Sequence, residues 1–364
     1  MNRFGTRFSM STFGESHGAA IGCVVDGVPA GLVMDTDYIQ RQLDRRRPGG
    51  NAYGTKRNEP DAVEILSGVF EGVSTGAPIA LVIYNRSAKS KDYENIRNLF
   101  RPGHGDFSWW AKYGIRDHRG GGRTSARESA ARVAAGAIAQ LMLRELGIAV
   151  EAGLMAVGQA QAARLDFAHA AKSAIFALDG DAEAAMKAAI EQARAQHDSI
   201  GAVVAARATG MVAGLGEPLY DKLDGALAGA LMGINAAKAV EIGAGTQAAT
   251  LHGSENNDPM TPEGFESNHA GGVLAGVSTG ADLELRVHFK PTPSIFKPQQ
   301  TVDIHGKPAE CAIQGRHDPC VGVRAVPVVE AMVALVLADM ALMNLGSRMD
   351  HLKAIYKERG CNDS

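Results

Sequence analysis

The sequence predicts an α+β fold in which helices pack on antiparallel sheets, and three observations predict it. Short β-branched runs outnumber helical segments, and the two do not alternate as β-α-β units would. Two long segments have the composition of core helices. No repeat, low-complexity linker or break in composition divides the 364 residues, so a single domain is expected.

The strands are read at residues 21–25, 79–83, 201–208 and 283–289, each β-branched and bounded by Asp-Gly, Thr-Gly or Pro turn signals. Residues 126–146 combine helix formers with an apolar face, and Gly147 stands where a C-terminal cap belongs. Residues 326–345 repeat the pattern and stop at Gly346. An Ala-rich amphipathic stretch, residues 181–196, reads as a surface helix. Between these elements lie long Gly-rich loops at 45–60, 100–122, 241–272 and 290–306, of a length that usually marks function or disorder. The longest apolar run, 331–343, is interrupted by Asp339 and falls short of the roughly 20 residues that span a bilayer, so no membrane segment is expected.

A net charge of -3 and a pI near 6.4 argue against general affinity for nucleic acid or anionic membrane. The exception is local: residues 101–132 carry seven Lys/Arg against three Asp/Glu, which marks where an anion would sit. Cys23, Cys311, Cys320 and Cys361 form no C-x-x-C pair and no signal-like stretch opens the chain, so a cytoplasmic protein with reduced thiols is expected.

The strongest chemical signal is Arg119-Gly120-Gly121-Gly122-Arg123-Thr124-Ser125-Ala126-Arg127-Glu128. Ser125 and Glu128 have capping-box spacing, the glycines leave backbone N–H groups open to a ligand, and the helix start with Arg123 and Arg127 attracts negative charge. A flexible turn before a capped helix, or an RGG-type RNA contact, would use the same residues. Gly14-Glu15-Ser16-His17-Gly18 matches the G-x-S-x-G elbow of serine hydrolases, but the following residues read as a strand where the elbow needs a helix. Arg101-Pro102-Gly103-His104-Gly105-Asp106 sets an imidazole between glycines, able to titrate near neutral pH at a ligand. The Trp109-Trp110 pair suits a core or an interface.

Arg316-His317-Asp318-Pro319-Cys320 with Arg324 precedes the last long helix, either as a cap region or as a carboxylate set among arginines. Arg45-Arg46-Arg47-Pro48-Gly49-Gly50 could close over an anion or be a solvated loop. Lys290-Pro291-Thr292-Pro293-Ser294 is a stiff turn bearing hydroxyls and an amine. Gly243-Ala244-Gly245-Thr246-Gln247-Ala248 satisfies a dinucleotide fingerprint but lacks the long helix that must follow, and no spacing assembles a metal site, so no metal is expected.

In this order the motifs resemble chorismate synthase. The resemblance is carried by Gly14 to Gly18 with Val25-Asp26-Gly27-Val28-Pro29, Asp44-Arg45-Arg46-Arg47-Pro48-Gly49, Arg101 to His104, and Arg119 to Glu128 with Arg132-Val133-Ala134-Ala135-Gly136-Ala137. Ser267-Asn268-His269-Ala270-Gly271-Gly272 and the stretch 315–327 complete it, from about residue 8 to residue 340. It implies a single-domain β-α-β sandwich over 1–346, helices held between antiparallel sheets with long Gly-rich active-site loops, a peripheral or mobile tail at 347–364, and a homotetramer.

The reaction so implied is 1,4-anti elimination of phosphate from 5-enolpyruvylshikimate 3-phosphate to give chorismate. Reduced FMN is needed without net redox change; it helps phosphate leave by transient electron donation and then receives the C6 hydrogen. By the same resemblance His17 protonates the departing phosphate, His104 supports the reduced flavin anion, and Asp318 relays a proton at flavin N5. The implied FMN contacts are Arg123, Thr124, Ser125, Asn235, Ala236, Ala275, Lys290, Pro291, Thr292, Pro293, Ser294 and Arg316. Ser16, Arg46, Arg127 and Arg324 are assigned to the substrate. Thr124 stands where the family has serine, Pro293 where it has serine, Ala275 where it has glycine, and Ala52 where many relatives have an arginine that contacts NADP. NADPH as reductant, or a separate flavin reductase as partner, both accord with the resemblance.

Overall fold

Two helices are apolar on nearly every side, and the sheets are arranged to cover them. In the computed structural model, which describes residues 2–50, 52–55, 59–87, 90–313 and 317–360, the helices in chain order are α1 (Thr36–Arg46), α2 (Asp106–Tyr113), α3 (Ser129–Glu145), α4 (Phe167–Ala170), α5 (Gly180–Ala195), α6 (Leu223–Met232), α7 (Gly253–Asn256), α8 (Gly322–Asn344) and α9 (Met349–Gly360). A helix buried all round must be enclosed by other elements. α3 packs against α8, against α1 and against one sheet; α8 packs against a second sheet and α6.

The first sheet runs Arg3–Phe4, Ser9–Gly14, Ala20–Asp26, Ile79–Tyr84, Val63–Ile65, with every neighbouring pair antiparallel. The second runs Ala237–Ile242, Leu283–Phe289, Ala202–Thr209, Ala149–Val157, Ala160–Gln161, again antiparallel throughout. Helices and sheets together make an α+β protein, and all four predicted strands lie at their predicted places. Along Ala20–Asp26 the residues Ile21, Cys23 and Val25 are buried while Val24 and Asp26 are exposed, the period-2 pattern of a sheet with one covered face. One buried cluster extends from Phe8 to Met340.

Close approach of α3 and α8 depends on small residues. A Cβ built on Gly136 would lie 2.4 Å from Ala331 Cβ and 2.5 Å from its Cα. Two carboxylates interrupt the apolar surface of α8, and both are occupied. Asp339 accepts hydrogen bonds from the backbone N–H groups of Thr6, Arg7 and Phe8 at 2.8, 2.6 and 2.9 Å, which ties the N-terminal strands to the core helix. Glu330 pairs with both terminal nitrogens of Arg45 and accepts from Ala152 N–H, linking α1 to the second sheet.

The structure corrects several boundaries. The helix expected to start at Ser125 begins at Ser129, after a 3-10 turn at Ala126–Glu128. Its other end is as expected: Gly147 has φ 77°, and the N–H groups of Gly147 and Ile148 bond the carbonyls of Arg144 and Leu143. The last core helix begins at Gly322, four residues before its expected start, with Pro327 inside it. A proline marks a helix start in isolation, but here burial of the preceding turn against the second sheet decides: a Cβ on Gly322 would come 2.4 Å from Ala202 Cβ. α8 therefore reaches 23 residues, long and apolar enough to cross a membrane by length and composition, yet 83% of that window is buried inside the protein.

The long loops are less bare than their composition suggests. α2 forms within 100–122, two short helical turns and a hairpin within 241–272, and the strand Gln299–Val302 within 290–306. Residues 349–360 of the expected tail are helical. Ser16 lies in a turn between two antiparallel strands, not between strand and helix, which removes the hydrolase elbow. A 3-10 turn, Gly245–Thr250, follows the fingerprint-like glycines, and no long helix does.

Replacing Gly136 by Val forces α3 and α8 apart. Chemical denaturation should show a loss of about 2–3 kcal/mol, the cost of overpacking a filled core; an unchanged midpoint would mean the two helices can separate freely.

Candidate active site

The glycine-rich segment before α3 is shaped by what packs on it. Gly120, Gly121 and Gly122 have φ of 63°, 88° and 54°, the left-handed region. A Cβ on Gly120 would stand 2.3 Å from the ring of His17 and 2.9 Å from Ser16 Oγ, and one on Gly121 would stand 2.9 Å from His104 Cε1. Two histidines far apart in sequence thus lie against consecutive glycines of one loop. Beyond it, Ser125 caps the 3-10 turn, its Oγ accepting from Arg127 N–H at 3.3 Å. The expected second half of the capping box does not form, because Glu128 turns to Arg132 at 3.0 Å.

This loop forms one wall of a cavity of about 310 Å³. Of the predicted residues, Ser16, His104, Thr124, Ser125, Arg127 and Asn235 line it, as do Ala236, Lys290, Thr292, Pro293, Ser294, Asp318 and Arg324. His17 lies behind Gly120, its ring edge-on to Tyr93 at 5.2 Å, and is not in the lining. Arg123, Arg46, Pro291 and Ala275 are also outside the lining. Arg123 reaches back to Thr12 Oγ1 at 2.8 Å and to the Gly14 carbonyl at 3.3 Å, and lines a neighbouring hollow on the far side of the glycine loop. Ala275 sits between the hairpin strands Val273–Leu274 and Val277–Ser278 with φ 52°. Arg316 lies outside the described residues.

Four cations, Arg101, Arg127, Lys290 and Arg324, line the cavity with Asp318. Lys290 Nζ is anchored on the Gly103 carbonyl at 2.6 Å, and Asn235 donates to the Thr124 carbonyl at 3.0 Å, so both flank the glycine loop from the second sheet. Asp318 accepts from Thr55 N–H at 2.9 Å and from Arg324 Nη1 at 2.6 Å, which resolves its alternatives: it is a carboxylate among arginines, not a helix cap. Ser16 Oγ, Arg127 Nη2, Thr292 Oγ1 and His317 Nε2 are buried and have no hydrogen-bond partner among the described residues. Unmet polar atoms around one cavity are what a polar ligand would satisfy. The hydroxyls and cations suit a phosphorylated cofactor as well as an anionic substrate.

Behind this wall Asp61 binds two buried arginines at once, Arg46 and Arg127. Burial raises the Asp61 pKa, but the two guanidinium groups outweigh it and hold the carboxyl below its usual range. Burial brings Arg46 down to about 10, with Asp61 opposing and Arg324 and Arg127 adding to the fall. From this centre bonds run both ways. Arg324 Nε donates to the Arg46 carbonyl at 3.1 Å. Arg127 Nε donates to Asn85 Oδ1 at 2.9 Å, and Asn85 Nδ2 donates to the carbonyls of Glu15 and Gly18, fixing the turn that carries Ser16 and His17.

Sequence reasoning missed Asp61, Asp106, Arg101 and His317 as site residues. Asp61 follows a proline in a polar stretch with no motif, so nothing local signals it. Asp106 and Arg101 stand in the quoted loop and were overshadowed by His104. His317 lines the cavity, and burial, then Arg101, push its pKa down to about 4 despite Asp318.

A family model described as chorismate synthase matches residues 8–342. A protein named chorismate synthase from Wolinella succinogenes is 60% identical over 356 residues, covering 98% of this chain and 99% of that one. One of the same name from Helicobacter hepaticus is 58% identical over 358 residues, with 98% and 100% covered. A solved structure titled as the crystal structure of chorismate synthase superposes with a TM-score of 0.76 at 29% identity, covering 98% of each chain.

Asp61→Asn should cost about 3–5 kcal/mol in urea unfolding, because two buried cations lose their counterion. Adding Arg46→Met should recover part of that loss, and full additivity of the two changes would show they are not coupled. For His317 the pKa of the folded state lies below that of the unfolded chain, so its contribution is complete above about pH 6.5 and lost as pH falls toward 4. His317→Gln should therefore flatten the acid side of the stability curve between those values by up to roughly 3 kcal/mol.

Proposed function

The chain belongs to the chorismate synthase family, a family of lyases in aromatic amino acid biosynthesis, and from that membership we propose that it eliminates phosphate from 5-enolpyruvylshikimate 3-phosphate to give chorismate. The observation that carries the reading is the convergence on one cavity of four cations, a carboxylate and two loops bearing His104 and the Ser16–His17 pair. An ester with carboxylate and phosphate groups needs such a charge distribution, and a departing phosphate needs a proton beside it.

In this proposal reduced FMN, when bound, supplies transient electron density to the allylic system and takes up the C6 hydrogen. Lys290, Arg101 and the hydroxyls of Thr124, Ser125, Thr292 and Ser294 would hold it, with Asn235 and Ala236 along one edge. Thr292 Oγ1, buried and without a hydrogen-bond partner among the described residues, supports the fit. Arg123, Pro291 and Ala275 would meet FMN only if the loops close further on it. Arg127, whose buried Nη2 has no hydrogen-bond partner among the described residues, and Arg324 would bind the substrate's anionic groups, and Ser16 would hydrogen-bond to it. Arg46 would act through Asp61, behind the cavity. His17, which lies behind Gly120 and outside the lining, would protonate the leaving phosphate only if the glycine loop shifts to expose its ring; His104 would stabilise negative charge on the cofactor, and Asp318, held between Thr55 N–H and Arg324, would relay a proton.

The packing order of sheet, α3, α8, sheet supports the β-α-β sandwich, and the one large buried cluster that runs from Phe8 to Met340 supports one catalytic domain over 1–346. We also propose the family's homotetramer and a cytoplasmic location. For flavin reduction we propose either NADPH or a separate reductase. At Ala52 the structure has a backbone carbonyl that accepts from Arg194, where relatives place the NADP arginine.

Purified protein given the phosphate ester and dithionite-reduced FMN without oxygen should release inorganic phosphate, and no release with fully reduced FMN would end the proposal. His17→Ala and His104→Ala should each lose about a hundredfold or more in kcat, the usual worth of a proton donor, with the fold kept by circular dichroism. Normal turnover would remove that residue from the mechanism.

A further inference from the structure

We propose that Asp106 is a positioning residue for His104: it holds the proton on Nδ1, so that Nε2 is the ring nitrogen that gains and loses a proton at the cavity. The catalytic use of that proton rests on the reading of His104 given above; its location on the ring does not.

His104 Nδ1 faces two partners at equal distance, Asp106 Oδ1 at 3.0 Å and Arg101 Nη2 at 3.0 Å. They make opposite demands, since a carboxylate only accepts and a guanidinium only donates. Arg101 is already committed to the same carboxylate: Nε donates to Oδ2 at 2.7 Å, Nη2 to Oδ1 at 2.8 Å, and its backbone N–H to Oδ2 at 3.1 Å. One Nη2 proton serves Oδ1 and the other can face the ring, but a charged oxygen attracts the ring proton more strongly than a neutral ring lone pair attracts the second proton of a guanidinium already paired with that carboxylate. The Nδ1–H tautomer is therefore favoured.

Asp106 can keep this role at every pH near neutrality. It is 3% exposed, and Arg116 Nη1 stands 3.6 Å away as a second cation. Burial raises its pKa, but the bonds from Arg101 and His104 hold it well below the usual carboxylate range. The opposite edge of the imidazole lies along the glycine loop, where a Cβ on Gly121 would stand 3.1 Å from Nε2. The charged and titratable groups that act on His104 are Asp106, Arg101 and Arg116, with His317 in the same cavity lining and Lys290 bonded to the neighbouring Gly103 carbonyl. Burial lowers the His104 pKa, Arg101 and Arg116 lower it too, and Asp106 opposes them.

The proton count is simple. The neutral ring carries one proton, on Nδ1 toward Asp106. Protonation adds a second on Nε2, and its release restores the starting tautomer, while Asp106 stays ionised.

The direct test is a pH titration of ligand-free full-length protein labelled with 15N-histidine, the His104 signals being identified by their absence in His104→Gln. The expected spectrum has Nδ1 protonated throughout and Nε2 titrating. A neutral ring protonated on Nε2, with Nδ1 titrating, overturns the proposal, and this reading needs no Asp106 variant to fold. In Asp106→Asn the His104 midpoint should fall by about one pH unit or more, and Asp106→Glu should restore it; an unmoved midpoint in Asp106→Asn also overturns it. With reduced FMN and the phosphate ester, Asp106→Asn should lose roughly tenfold or more in kcat with little change in KM, whereas a purely structural role would leave the pH profile of the remaining activity in place. Because the titration uses neither flavin nor substrate, failure of the elimination assay leaves it standing, and its own failure leaves the elimination untouched.

Discussion

The carboxylate of Asp61 is the interaction on which the site depends. Arg46 ends α1 and Arg127 sits in the turn before α3, and both side chains are buried almost completely. Two buried cations that close repel by several kcal/mol, and a carboxylate between them reverses the sign. Asp61 adopts φ 47° to reach both, a left-handed conformation that costs a non-glycine residue about 1–3 kcal/mol and survives where the surroundings over-determine it. Through Arg46 the arrangement reaches Arg324 and Asp318; through Arg127 and Asn85 it reaches the turn of Ser16 and His17. Asp318 and the turn that carries Ser16 and His17 are thereby referred to one buried charge.

A second constraint is steric. The three glycines before α3 serve less to free backbone donors than to admit imidazole rings, since His17 and His104 occupy the space where side chains of residues 120 and 121 would be. The helix start is also less exposed to a ligand than a simple capped helix would be, because a 3-10 turn precedes it and Glu128 is engaged with Arg132. Positive charge in the cavity comes mainly from side chains held by backbone carbonyls and carboxylates, with the helix terminus in a minor part.

Both histidines owe their orientation to neighbouring residues of the quoted motifs that the motif chemistry itself does not single out. His104 is set by Asp106 and Arg101, which are fixed to each other by a two-point ion pair, and His17 by the loop it packs on. Holding a titratable ring against a rigid partner gives it one tautomer and one direction, the condition for proton transfer to a single site.

The sequence by itself determined the α+β class, four strands, the two core helices and the amphipathic α5, because local periodicity and turn residues carry that information at short range. It also determined the segments that supply the cavity, from Arg101-Pro102-Gly103-His104 to Lys290-Pro291-Thr292-Pro293-Ser294, and the order of motifs that shows the family. What only the tertiary structure decided is which side chains face one another. Asp61 is anonymous in sequence and central in space; Arg46 lies in a basic motif that reads either as a loop closing over an anion or as a solvated loop, yet its side chain is sealed against Asp61. α8 begins before its proline because burial against the second sheet outweighs the local signal. The physical reason is the same each time: burial and charge pairing act between residues tens to hundreds of positions apart, and a spacing pattern along the chain records only what neighbours within a few residues do.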